Sequence, residues 1–409
     1  MTVRALLIRA LPIGAIAALA WSVAPALSLT PYIPEAVDFE LPLPAAQRVV
    51  PRAGVEAARQ RHGGEEPVRF VTAPVEVPRF DVVGVAGEMR ALEFRVRSNG
   101  IWSEWVESSG GEPVYTGGAD AVRLRSRGAR PTGQLHFVNV SGDHGLANRI
   151  LSSARKAVSS AVIAVASVST ASAEPASPDL ITREQWGAER DSGGCEPRRT
   201  SIQGKVKAAV VHHTVTTSDY SRDEAAGIVL GICRFHRNGN GWNDIGYNAL
   251  IDRFGRLYEG RAGGLEREIV GAHAQGFNAT TTGVASIATH TSRPPAPKAK
   301  KTFVRYLAWK LALHAQPAAG RAQITSGGGP LSRHPAGKRV RLRRIFSHSD
   351  TGRTECAGSK MRRQLRNIAK RAQKRIERFP DPLPPPIDEP PLVEETPVAA
   401  SLHLRPTRP

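Results

Sequence analysis

Between Val68 and Val140 apolar and polar residues alternate in short runs. Leu92-Glu93-Phe94-Arg95-Val96-Arg97 puts apolar side chains on one face and charges on the other, as a half-buried strand requires. Val122-Arg123-Leu124-Arg125 and Leu135-His136-Phe137-Val138 repeat the pattern, and Ser98-Asn99-Gly100 is a hairpin-turn signal. Residues 68–150 are therefore expected to form a small all-β domain, a sandwich. Trp102 and Trp105 read as core beside the hairpin, with a carbohydrate-stacking patch as the alternative.

From Ile181 onward strands and helices alternate, which predicts an α/β domain over residues 180–378. Thr182 is placed to cap a short helix, with Gln185 three residues on. Ala208-Ala209-Val210-Val211-His212-His213-Thr214 reads as a strand ending in polar residues. Helical spacing follows at Ala225, Ile228, Val229, Ile232 and Phe235. It recurs at Val304, Leu307, Ala308, Leu311 and Ala312, and again at Met361, Leu365, Ile368 and Ala372. The far face of that last helix is dense in Lys and Arg. Residues 151–179 are almost all Ala, Ser and Val and read as an interdomain linker. Residues 29–67 read as a linker or strap, and the Pro-rich residues 379–409 as a disordered tail.

Composition narrows the setting. At 409 residues the chain is expected to hold two folded units. Its formal net charge of +19 implies an anionic partner, nucleic acid or an acidic cell-wall polymer. Arg4 and Arg9 precede an apolar run from Ala10 to Ala20, and small residues follow at Ala24-Pro25-Ala26-Leu27-Ser28. That is the layout of a signal peptide over residues 1–28. The run is shorter than the roughly 18–20 residues of a spanning helix. Export to the exterior or cell wall is expected, with no later transmembrane segment. That choice sets nucleic acid aside and favours anionic cell-wall polymers.

Three cysteines in an exported chain suggest one pair and one thiol with another task. Cys195 and Cys233 flank the strand carrying the two histidines and are read as the disulfide. Cys356 follows Phe346-Ser347-His348, a second apolar strand ending in histidine. Because side chains alternate along a strand, only one of His212 and His213 can face a shared cleft. That histidine, His348 and Cys356 form a donor set suited to a zinc ion with one position open. Glycine, histidine, tryptophan and asparagine are dense from Ala208 to Val284, the composition of a cleft built of loops on a sheet.

Taken in order, these residues resemble the peptidoglycan recognition protein and type-2 N-acetylmuramoyl-L-alanine amidase family. The carriers are Val210-Val211-His212-His213-Thr214, then Phe235-His236 with Gly241-Trp242-Asn243-Asp244-Ile245-Gly246-Tyr247-Asn248. Tyr258-Glu259-Gly260-Arg261, Gly271-Ala272-His273 with Gly276 and Asn278, and His348 with Cys356 complete them. The resemblance implies a mixed central sheet flanked by helices, of the zinc amidase type. It also implies peptidoglycan as partner and cleavage of the amide between muramic acid and the first stem alanine. By position, it places zinc on His212, His348 and Cys356. Tyr247 falls where the family has a tyrosine that faces the metal and assists attack or, the role favoured here, stabilises the oxyanion. Thr354 falls where it has threonine or lysine near the reacting centre. His273, Asn278, Trp242 and Arg261 fall along the groove as substrate-binding positions. Trp242, like Asp244 and His236, nevertheless reads sooner as scaffold, since buried Trp and paired Asp usually hold loops in place. The chain departs from the pattern at Ser347, Ser349 and Ala357, where relatives carry glycine, arginine and proline. Non-catalytic recognition is the alternative to hydrolysis, and a monomer is expected.

Overall fold

The computed structural model describes residues 35–49, 67–86, 92–108, 111–141 and 180–378. The expected signal peptide, the 151–179 linker and the 379–409 tail lie outside the described residues.

The N-terminal unit is all-β. Its strands are β1 (Val37–Pro42), β2 (Ala46–Arg48), β3 (Phe70–Thr72), β4 (Val75–Val85) and β5 (Leu92–Ser98). They continue as β6 (Ile101–Trp102), β7 (Val106–Ser108), β8 (Val114–Ser126) and β9 (Gln134–Asn139). The nine strands form one hydrogen-bonded sheet, not the two stacked sheets of a sandwich. The long strand β8 accounts for this, because it pairs with β3 and β4 along one edge and β5 along the other. Phe80, Phe94, Val122, Leu124, Leu135 and Phe137 form the core that the sheet curls around. β1 and β2 lie in the stretch read from sequence as a strap; β1 pairs with β9 and β2 with β3. Trp102 lies under Arg95 and Arg97, and Trp105 under Arg125 at 4.4 Å, so guanidinium groups cover the rings proposed for carbohydrate.

The second unit is a mixed six-stranded sheet with helices on both faces. Its strands include β10 (Leu180–Ile181), β11 (Ala208–His213), β12 (Ala249–Ile251), β13 (Leu257–Glu259) and β14 (Thr281–Ser286). A small hairpin of β15 (Arg321–Thr325) and β16 (Arg339–Arg343) precedes β17 (Ile345–Ser347). The order is β10-β13-β12-β14-β11-β17, antiparallel only between β12 and β13. The helices are α1 (Arg183–Trp186), α2 (Glu224–Arg234), α3 (Pro297–Leu313) and α4 (Ser359–Arg378). Thr182 and Gln185 form the expected capping box at α1. The apolar stripes of α3 and α4 pack with Ala209 and Val211, one face of β11. Ala208 and Val210, on its other face, pack with Phe277, Ile324 and Phe346. The period of two thus sends His212 and His213 apart.

The third side of the domain is the junction with the β unit. Ile228, Val229, Ile232 and Phe235 share one apolar core with Val82, Tyr115 and Val138 of the β sheet. The approach is close: a Cβ on Gly84 would lie 2.3 Å from the Phe235 ring, and one on Gly231 would lie 2.7 Å from Val82. Asp38 of β1 accepts from Arg234 Nε at 2.8 Å and from Asn238.

Cys195 and Cys233 are joined, which ties the loop after α1 to α2. Closing this 38-residue separation is expected to stabilise the fold by about 2–4 kcal/mol. Free-thiol titration of the unfolded, unreduced protein should therefore find one reactive cysteine, and Cys233→Ser should melt several degrees lower. Three reactive thiols would refute the bond.

Candidate metal centre

Two strand ends and one loop converge on a single point. His212 is the last residue but one of β11, His348 follows β17, which pairs with β11, and Cys356 sits on the loop before α4. One ligand atom from each lies within 4.8 Å of the others, and Cys356 Sγ is 3.6 Å from His212 Nδ1. His213 turns away, its Nδ1 accepting from the His290 backbone N–H at 3.1 Å. The choice between the two histidines that the strand period left open falls on His212.

The surroundings suit a cation. Burial holds His212 well below the ordinary histidine range, and it pushes His348 down to about 4. Both imidazoles are therefore neutral at physiological pH with lone pairs to offer. His348 Nδ1 is buried without a hydrogen-bond partner. His212 Nε2 meets His273 Nδ1 at 3.1 Å, the kind of outer contact that fixes a ligating imidazole. Burial pushes the Cys356 thiol up, while the His213 N–H donates to its sulfur at 3.3 Å. A bound cation reverses that balance, because it stabilises the thiolate far more than burial penalises it. These donors fit a zinc ion.

The positions that depart from the family pattern hold the cysteine loop. Ser347 Oγ donates to the Cys356 carbonyl at 3.0 Å and accepts from the Ala357 N–H at 2.9 Å. Ser349 Oγ donates to Ser347 Oγ at 3.0 Å. Thr354 Oγ1 accepts from the Cys356 N–H at 3.0 Å.

A cleft of about 180 Å³ opens beside the centre, lined by His348, His273, Trp242, Asn278, Thr354 and Glu112 among others. Most groove positions expected from sequence are thus together, with qualifications. Trp242 lines the cleft and stacks on His236 at 4.7 Å, so it is wall and scaffold at once. Asn278 Oδ1 accepts from the His273 and Ala274 N–H groups, which makes it a brace for the loop. Arg261 is buried and donates to the Val270 carbonyl, away from the residues that line the cleft. His273 owes its seat to Gly283, where a Cβ would lie 2.3 Å from the imidazole.

Tyr247 is fully buried, its ring centroid 5.2 Å from that of His212. Its hydroxyl donates to Glu112, a residue of the β unit that the sequence had not suggested. A phenol has one hydrogen, so while that bond stands Tyr247 has none for an oxyanion. Burial, then the Glu112 charge, raises its pKa well above the ordinary value, which keeps it neutral.

Residues 202–359 match the family N-acetylmuramoyl-L-alanine amidase. Peptidoglycan-recognition protein SC2 of Drosophila melanogaster is 29% identical over 189 residues, 46% of this chain and 84% of that protein. Peptidoglycan-recognition protein SA of the same species is 34% identical over 118 residues, covering 29% of this chain and 54% of that protein. The human N-acetylmuramoyl-L-alanine amidase is 32% identical over 129 residues, 31% of this chain and 21% of that protein. The chain carries a domain of the peptidoglycan recognition protein and type-2 amidase family.

Proposed function

We propose that the chain is an exported, zinc-dependent N-acetylmuramoyl-L-alanine amidase acting on peptidoglycan. The observation that carries this is the convergence of His212, His348 and Cys356 at one cleft, with neutral imidazoles and an outer histidine behind the first. Zinc held there would polarise the lactyl carbonyl and make water nucleophilic near neutral pH. The chain's own part is to bind and to hold groups still. Trp242 and His273 offer the walls against which glycan or peptide lies. Thr354 and the two serines keep the cysteine loop in place, and His273 keeps the His212 ring in register. Among the described residues no helix is long and apolar enough to cross a membrane. The basic face of α4, with Arg366, Lys370 and Lys374 beside a surface hollow, suits anionic wall polymers.

Recognition without cleavage is the second reading, and the names of the insect relatives favour it. The complete donor set argues for hydrolysis. Digestion of purified peptidoglycan with the full chain and zinc is expected to release stem peptides beginning with alanine and to leave the glycan strands intact. Binding to the polymer without any new alanine amino terminus would replace the amidase reading by recognition alone.

A further inference from the structure

Glu112 reaches the cleft from the other unit. It lies between β7 and β8 and is only 7% exposed. It accepts the Tyr247 hydroxyl hydrogen, and its Oε2 lies 3.5 Å from His236 Nε2. It lines the cleft with His348 and Thr354, and a smaller space of about 30 Å³ with His213, Thr354 and Cys356. Tyr247 lines neither. The carboxylate therefore stands between the tyrosine and the space a substrate would fill.

Its position is held, not incidental. Asn240 Nδ2 donates to the Gly111 carbonyl at 2.7 Å, and Ser108 Oγ donates to the carbonyl of Glu112 itself. Directly after it, Tyr115 enters the apolar core shared with α2. Separating the two units would expose Phe235 and Val82, each packed across the junction, to water, and burial of this apolar surface holds the units together. Glu112 is thus a standing member of the site and not a removable plug.

We propose that Glu112 is the acid–base catalytic residue of the amidase site, supplied by the β unit, with Tyr247 and His236 as its positioning residues. This rests on the amidase reading. Glu112 takes a proton from the attacking water as the water oxygen bonds to the lactyl carbonyl carbon. It returns that proton to the alanine nitrogen as the C–N bond breaks. The products are the free lactyl acid and a stem peptide with a free amine, and the carboxylate is restored. A carboxylate in this place also explains why Tyr247 gives its hydrogen inward.

The test uses the full chain as wild type, Glu112→Gln, Glu112→Ala, Tyr247→Phe and the Glu112→Ala/Tyr247→Phe double variant. Glutamine keeps the size and can still accept from Tyr247, but it cannot carry the proton. It should lose about 10²–10⁴-fold in kcat, with KM, zinc content and melting temperature close to wild type. Formate should restore part of the turnover of Glu112→Ala, which a purely structural role would not allow. The melting-temperature changes of Glu112→Ala and Tyr247→Phe should be non-additive, a measure of the contact that needs no activity. A wild-type rate in Glu112→Gln at equal zinc content, or additive melting changes, would overturn the inference alone. A wild-type chain that releases no stem peptide removes the amidase reading and this inference with it.

Discussion

Cys356→Ser should leave a folded chain that no longer holds zinc and no longer releases stem peptides. The sulfur is the one soft donor of the set, and serine offers a neutral hydroxyl in its place, a poor partner for zinc. Nothing else in the pocket compensates: His213 is turned to His290, and His273 is engaged with His212. Changes in outer contacts already cost about 10–100-fold in metal affinity, so loss of a direct donor should exceed that. The fold should survive, because Ser347 and Ser349 hold the loop through the Cys356 and Ala357 backbone and not through sulfur. Metal content after dialysis against a weak chelator, with a thermal melt beside it, makes the check. Full zinc and full turnover in the serine variant would show that the metal centre is elsewhere.

Much of this centre is legible in the sequence. The run Ala208 to His213 announces a strand, and its period of two already states that one histidine must leave the cleft. His348 and Cys356 are harder, since they lie about 140 residues away. What made them readable is residue type, an apolar strand ending in histidine followed by an odd cysteine. The helices came from plain amphipathic spacing, because each has one buried face against the sheet. β1 was missed for a physical reason. It pairs with β9 alone, at the edge of the sheet, and its half-buried residues give little alternation to detect.

Glu112 could not have been found in this way. A single acidic residue in a glycine-rich loop carries no periodicity, and its partner Tyr247 is 135 positions away in another unit. The contact exists only because Val82, Tyr115 and Val138 seat against α2, and an apolar pattern states that a face is buried, not what covers it. Asn278 and Arg261 teach the reverse lesson. Both fall at expected groove positions, yet Asn278 braces the His273 loop and Arg261 caps a carbonyl. Position along a motif identifies a neighbourhood. The partner of each polar atom decides what the residue does in it.

Tyr247→Phe separates the sequence view from the structural one. Read from sequence, the hydroxyl serves an oxyanion, and its removal should lower turnover by about 10²–10³ while leaving stability untouched. In the structure the hydroxyl is fully buried and its hydrogen belongs to Glu112. Phenylalanine then keeps the ring against His212 and His236 but strips a nearly buried carboxylate of a donor. An unmet buried acceptor costs about 1–3 kcal/mol, so the melting temperature should fall measurably, unlike the sequence expectation. Turnover should fall as well, by about 10²-fold, because an acid–base group displaced by an ångström loses its alignment. Zinc content should stay near wild type, since Tyr247 is not among the three donors. The decisive measurement is the melt of the zinc-free protein, where catalysis plays no part. A Phe variant as stable as wild type would mean that the hydroxyl does not rest on Glu112 in solution, and the oxyanion role would return.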